Sequence, residues 1–493
     1  MNLTSPSRSR RHFIKQSLAG AAGIATAASW SRAAGANGDI RVAVIGFRSR
    51  GSGHIKSLQK IPGVRLTALC DVDQDVLDKK VAELAKGGVT VTPYKDFRKC
   101  CEDPNVDAIT IATPNHSHVM IALTALANGK HVYVEKPVCH NIWEGSLLME
   151  AAAKAEKKGQ VLQHGMQRRS DLGWAAAMEW VKEGHIGAMK LSRGLNYKMR
   201  ASIGKVDAPQ PPPPSVDYAL WSSPRPELPI FRKQFHYDWH WQWPYGNGDI
   251  GNQGPHQLDV ARWALGDPKL LPPRVMSFGG RWGYDDDGQT ANNQLAYYAY
   301  DGVPLLFDNR GMPRSDLRWQ KGWEPAYKGI RIGNIIHCEG GYVAESKAYD
   351  NDGKAIHKFD NFQEGPDHMG NFIASIQAGK LIKDVLHVSH GFHAACLAHM
   401  ANVSYRVGKK TAPGEIRERF GVSAAAQETF DDFVANLKAN TIDMAAEEAQ
   451  AGPWLDFDPV TLKFTGDFAE EANKVAQEDY AEGFDLKPLV AAI

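Results

Sequence analysis

The sequence predicts an α/β chain whose first folded unit is a parallel, doubly wound sheet. Three observations carry that prediction. A β-branched run from Ile40 to Ile45 ends at Gly46 and leads through Gly51 and Gly53 into a helical pattern through Ile55, Leu58 and Ile61. A second run, Val64 to Cys70, ends at Asp71, twenty residues after Gly51. Strand-like and helix-like segments then alternate as far as Glu135-Lys136-Pro137, as successive βα units do.

Each element has its own signal. The run Ile40 to Ile45 reads as a buried parallel strand. The turn Gly46-Phe47-Arg48-Ser49-Arg50-Gly51 brings backbone N–H groups and a helix N-terminus together, the arrangement that cradles a pyrophosphate. Its middle glycine is replaced by Arg48, whose guanidinium can reach a phosphate instead. Asp71 suits the ribose hydroxyls of an adenosine and repels a 2′-phosphate, which favours NAD; Arg48 or Arg50 leaves NADP possible. Val106 to Ala112 is the next strand and Val119 to Asn128 the next helix, stopped at Gly129. His131 to Val134 follows. Loops beyond the carboxyl ends of such strands build the site. The cofactor candidates are therefore Gly46, Phe47, Arg48, Arg50, Gly51, Asp71, Thr113, Pro114, Asn115, His118, Glu135 and Lys136.

Composition bounds the rest. At roughly 150 residues per domain, 493 residues suggest about three units. Lys and Arg number 57 against 56 Asp and Glu, and no basic stripe is present, which argues against a nucleic-acid partner. Six cysteines without a Cys-x-x-Cys exclude a disulfide scaffold and a zinc ribbon. No apolar run approaches the roughly 18 residues of a membrane-spanning helix. The segment Ser9-Arg10-Arg11-His12-Phe13-Ile14-Lys15 resembles the twin-arginine export signal, with an apolar stretch from Leu18 to Ala28 and an Ala34-Gly35-Ala36 cleavage site. Residues 1–36 are read as a signal peptide, and the mature protein as periplasmic or otherwise exported.

Beyond the first unit, Val161 to Gln167 reads as the strand leading out, with Gln167 a candidate substrate contact, and Ala175 to Val181 as a helix. Pro211 to Pro214 marks an extended surface arm. Trp239, Trp241 and Trp243 alternate and share one face if the chain is extended there, a face suited to sugar rings. A glycine-rich approach carrying Asp249 and Asn252 opens a helix at His256, with Asp259 one turn on. His387, His390 and His393 recur at helical spacing, and His236 and His240 form a further pair. Neither group has a convincing set of acidic or thiol partners, so no metal is assigned. The Ala- and Glu-rich stretch from Ala424 to Ala449 reads as a solvated or interface helix.

Ala112-Thr113-Pro114-Asn115 with His118, Gly129-Lys130-His131-Val132 and Glu135-Lys136-Pro137 closely resemble the Gfo/Idh/MocA oxidoreductase family over nearly all of the mature chain. The resemblance implies a Rossmann domain over 37–165, a substrate and oligomerisation α/β domain with a large open, mostly antiparallel sheet over 166–410, and a C-terminal extension over 411–493 packed on the second domain. It implies a homodimer or homotetramer. It implies hydride transfer between a carbinol carbon of a sugar and tightly bound NAD(P), with Lys136 beside the reacting carbon and His256 as acid/base. Asn252 stands where the family pattern has aspartate, so Asp249 is a candidate substitute. The alternatives are an NAD-dependent glycoside hydrolase working by transient oxidation and elimination, and a non-catalytic sugar-binding protein.

Overall fold

The computed structural model describes residues 38–312, 325–362, 367–482 and 484–493. The export signal expected over 1–36 lies outside the described residues. Six parallel strands form the first sheet: β1 (Ile40–Ile45), β2 (Val64–Cys70), β3 (Thr92–Tyr94), β4 (Ala108–Ile111), β5 (His131–Val134) and β6 (Leu162–His164). Their order is β3-β2-β1-β4-β5-β6. The order reverses at β1, which pairs with β2 on one side and β4 on the other. A crevice opens at such a reversal, outside the carboxyl ends of the strands, and that is where ligands bind. β1, β2 and β5 have the bounds the sequence predicts. β3 was not anticipated; with three residues it is too short to show a period.

The second sheet has twelve strands: β7 (Met189–Tyr197), β8 (Arg274–Gly280), β9 (Asn293–Tyr298), β10 (Leu305–Arg310), β11 (Ile332–Cys338), β12 (Gly341–Ala344), β13 (Lys347–Asp350), β14 (Ala355–Lys358), β15 (Lys409–Thr411), β16 (Ala449–Ala451), β17 (Leu455–Asp458) and β18 (Lys463–Thr465). It is mostly antiparallel; β7 and β10 run parallel. The helix Gly254–Ala264 lies on β7, with Ser192 Oγ donating to Ala261 O at 2.8 Å.

The two units share helices. His368–Gln377 places Phe372 and Ile373 in the same apolar cluster as Val42, Val44 and Leu58 of the first unit. Val388–Val407 is buried on nearly every side, because it is wedged between the first sheet's helices and β8. The C-terminal extension packs on the second sheet only in part. Ala424–Ala439 ends before Thr441, which takes a positive φ; it buries Phe430, Phe433 and Leu437 against β8 and leaves its opposite face exposed. The last two helices, Ala469–Gln477 and Lys487–Ala492, pack on the first unit's helix Ile142–Lys157; Lys154 Nζ donates to Val490 O at 2.9 Å.

Residues 198–245 form a lobe that leans over the crevice. Gln74 N–H donates to Ser215 O, His116 Nε2 to Trp221 O at 2.7 Å, and His236 pairs with Asp73 at 2.8 Å. The proline arm is pinned to the same chain at both ends, at Val206 by Asp287 and at Val216 by Pro213.

Candidate active site

A cleft of about 410 Å³ runs from the glycine turn after β1, past the ends of β4 and β5, to the lobe. Gly46 turns the chain at φ +75; a Cβ there would sit 2.8–2.9 Å from Thr113. Gly51 is excluded from side-chain substitution by backbone, since its Cβ would overlap Gly46 O. The helix Arg50–Leu58 that follows has no side-chain cap at Ser49 and no acidic residue in its first turn. The positive end of this helix is thus left without a capping side chain or acidic residue of its own beside the cleft, which Ser49 and Arg50 line. Arg48 lies exposed at the rim. Asp71 lines the cleft at the end of β2 and accepts from the N–H groups of Asp73 and Phe47. Burial pushes its carboxyl up to about 6. Donors for a pyrophosphate at one loop and a carboxylate at the next fit a dinucleotide. Every cofactor candidate lines this cleft except Gly51, which lies beneath it as a packing residue.

The opposite end of the cleft holds Lys136. Its Nζ donates to Asn252 O at 2.6 Å and to Asn252 Oδ1 at 3.3 Å. Burial, with Arg50, Lys198 and Arg200 nearby, brings its ammonium down to about 8 despite Glu135. Glu135 beneath it accepts from Arg50 Nε at 2.7 Å, His54 Nε2 at 3.0 Å and Gln167 Nε2 at 3.1 Å. Burial disfavours that carboxylate, but His54 and Arg50 outweigh it and hold the group well below the usual range. Glu135 is thus a fixed anion that anchors the turn carrying Lys136.

His240 joins this end. Its Nδ1–H donates to Tyr237 O at 2.6 Å, and its ring stacks on Trp239 with centroids 3.7 Å apart. That bond leaves Nε2 unprotonated, and burial beside Lys136 and Arg200 keeps the ring neutral, with its pKa lowered to about 3. Lys198 and Arg200, just beyond β7, complete the wall. In the sequence His240 stands out only as one of a histidine pair, and neither Lys198 nor Arg200 stands out at all. The alternation Lys198-Met199-Arg200 after a strand was the available signal, since it places both on one side of an extended chain.

Several expected site residues are elsewhere. His256 faces an adjoining cavity with His54, Gln167, Arg168 and His368, which shares Arg50 and Gln253 with the cleft; the chain turns at Gln253 between the short helix Gly248–Asn252 and the next one, and Lys136 helps burial to hold the His256 ring neutral. Gln167 lines that cavity too. Asp249 is buried in an ion pair with Arg200 at 2.9 Å, and Asp259 in one with Arg169 at 2.7 Å, so neither is open to a substrate. The three tryptophans do not share a face, because the chain forms a tight helical turn at Asp238–Trp241 instead of a strand. Trp239 reaches the cleft; Trp241 is buried beside Asp249, and Trp243 packs under Arg406. His390 and His393 are likewise engaged away from the cleft, with Asp267 and with the carbonyls of Ser389 and Lys269.

Residues 40–163 match an oxidoreductase family at its NAD-binding Rossmann fold, and residues 177–324 match that family's C-terminal alpha/beta domain. The chain belongs to this family, Gfo/Idh/MocA. A "Glycosyl hydrolase family 109 protein" of Shewanella pealeana is 28% identical over 206 residues, covering 36% of this chain and 44% of that one. An inositol 2-dehydrogenase of Salmonella paratyphi B is 27% identical over 172 residues, 35% of this chain and 49% of that one. The chain thus spans about half the length of these curated relatives. In fold it is similar to the WlbA dehydrogenase from Bordetella pertussis, solved in complex with NADH and UDP-GlcNAcA, with TM-score 0.54, 17% identity, and coverage of 75% of this chain and 97% of that one.

Proposed function

We propose that this chain is an NAD-dependent oxidoreductase acting on the CH–OH group of a sugar or sugar derivative. The observation that carries this is the placement of Lys136. It is a cation of lowered basicity, held at the far end of a cleft whose near end is a glycine turn and an uncapped helix N-terminus. The turn and the helix would hold the pyrophosphate, and Asp71 the adenosine ribose. When bound, NAD supplies a hydride acceptor for the carbinol carbon. Lys136 in its neutral form takes the hydroxyl proton, then holds the developing carbonyl oxygen as an ammonium. Asn252 orients Lys136 through two acceptors, and the neutral Nε2 of His240 offers a second acceptor on the same wall. Trp239, stacked under His240, gives that wall an apolar floor.

A second reading is a glycosidase that oxidises transiently, eliminates and returns the hydride. The family 109 relative favours it, and the same base serves both reactions. The full-length protein, incubated with a panel of free sugars, polyols and aryl glycosides, separates the two. Nicotinamide reduction in step with sugar oxidation supports the dehydrogenase. Release of free sugar without net reduction supports the glycosidase. Neither product with any compound leaves the binding-protein reading and sinks both enzymes.

Two further parts of the reading rest on other features. The box from Ser9 to Lys15 supports export by the twin-arginine route to the periplasm. The exposed edge strand β14 supports assembly into a homodimer or homotetramer.

A further inference from the structure

The reacting end of the cleft carries more positive charge than the nucleotide accounts for. Seven ionised side chains line the cleft: Arg48, Arg50, Lys136, Lys198 and Arg200 against Asp71 and Glu135. They divide by position. Arg48 and Arg50 sit on the glycine turn, which would hold the pyrophosphate, Arg50 with its guanidinium turned onto Glu135, and Asp71 would meet the ribose. Glu135 is taken by Arg50 and His54. Lys136, Lys198 and Arg200 remain at the other end with His240, which is neutral. Arg200 has already spent its fork, on Asp249 at 2.9 Å and on Tyr237 Oη at 3.2 Å. Lys136 is engaged with the neutral carbonyl and amide of Asn252. Lys198 is half-buried in the cleft wall and has no hydrogen bond or ion pair among the described residues. Placing an ammonium in such a wall costs solvation, and the neighbouring Arg200 adds repulsion; Asp249 returns only part of that cost, because its carboxylate is already bonded to Arg200.

We propose that Lys198 receives a carboxylate of the substrate, so that the compound oxidised at Lys136 is a sugar acid rather than a neutral sugar. This rests on the dehydrogenase reading above and names its substrate class. A carboxylate fits better than a phosphate. The site offers one free point charge and no open guanidinium fork, which suits a monoanion; a dianionic phosphate is normally met by a fork or several donors.

The test compares D-glucuronate and D-gluconate with D-glucose and myo-inositol on the full-length, NAD-loaded protein. Binding is read by calorimetry and turnover by nicotinamide reduction. A charged hydrogen bond lost in a cleft changes affinity by about ten- to a hundredfold. The acids are therefore expected to bind at least about tenfold more tightly than the neutral compounds, and Lys198→Met to erase that preference while the affinity for NAD stays within about twofold. Lys198→Arg is expected to keep most of the preference. Equal binding of acids and neutral sugars overturns the proposal, as does a Lys198→Met loss that falls equally on both or on NAD. If glucose 6-phosphate is preferred over both acids, the carboxylate assignment is wrong. If the acids bind with the expected preference and no compound reduces the nicotinamide, the dehydrogenase reading fails and the anion site stands.

Discussion

Lys136→Met removes the proposed base while keeping the length and apolar stem of the side chain. The usual lysine pKa of 10.5 falls to about 8 in the folded protein, mainly because the group is buried, with Arg50, Lys198 and Arg200 adding repulsion. At pH 7 roughly one molecule in ten then carries the neutral amine, and at pH 9 roughly nine in ten. Alcohol oxidation should therefore rise about tenfold per pH unit below 8 and level off above it. A positioned acid–base group contributes about 10²–10⁴ in rate, so the methionine variant should lose about a thousandfold in kcat, or about 4 kcal/mol. The fold should survive. Between pH 8 and 10.5 the unfolded chain binds the proton that the folded one has released, so this lysine makes stability rise with pH across that window and gives least at neutral pH. The assay is the initial rate of nicotinamide reduction against pH for both proteins, with denaturant melts as the control. A flat profile between pH 6 and 9, or a variant keeping more than about a tenth of the wild-type kcat, would refute the role of Lys136.

Three more predictions follow from single sites. Gly46→Ala forces a side chain onto φ +75 and against the Thr113 backbone, so it should cost about 2 kcal/mol or more and weaken nucleotide binding by at least about thirtyfold in a titration. Asp71 is a carboxylate only above about 6, so NAD affinity should fall as pH drops from 7 to 5, and Asp71→Asn should abolish that dependence and narrow the preference for NAD over NADP. Arg169→Ala leaves Asp259 buried without its partner and should lower unfolding stability by about 3–5 kcal/mol in urea; a loss below about 1 kcal/mol would say the pair is replaceable.

Much of the first unit was legible because its signals are local. A β-branched run, a glycine and an acid at the end of the next strand suffice to define β1, β2 and the cofactor end of the cleft. Its substrate end was less legible, because it is assembled from distant segments. Lys136 comes from the turn after β5, Asn252 from a short helix and Lys198 from just beyond β7, and no spacing links them. The tryptophan reading failed for a local reason. His240 Nδ1–H caps Tyr237 O and Trp239 Nε1–H caps His236 O, so side chains hold the backbone in a turn that alternation alone could not reveal. A single turn at Gln253 sends Asn252 to the cleft and His256 to the cavity that adjoins it across Arg50 and Gln253, a division that spacing alone does not show. Asp259 and Asp249 looked like free carboxylates because their arginines, Arg169 and Arg200, are remote in sequence.

The most direct test of the account is to identify what the cleft holds. The full-length protein, purified without added nucleotide, is denatured and the released small molecules are identified by mass spectrometry, alongside a titration of the stripped protein with NAD. The account predicts NAD(H) near one per chain or saturable NAD binding after stripping, with both lost in Gly46→Ala. No nucleotide released and no binding on titration would contradict it, since the uncapped helix, the glycine turn and Asp71 would then have no ligand in common.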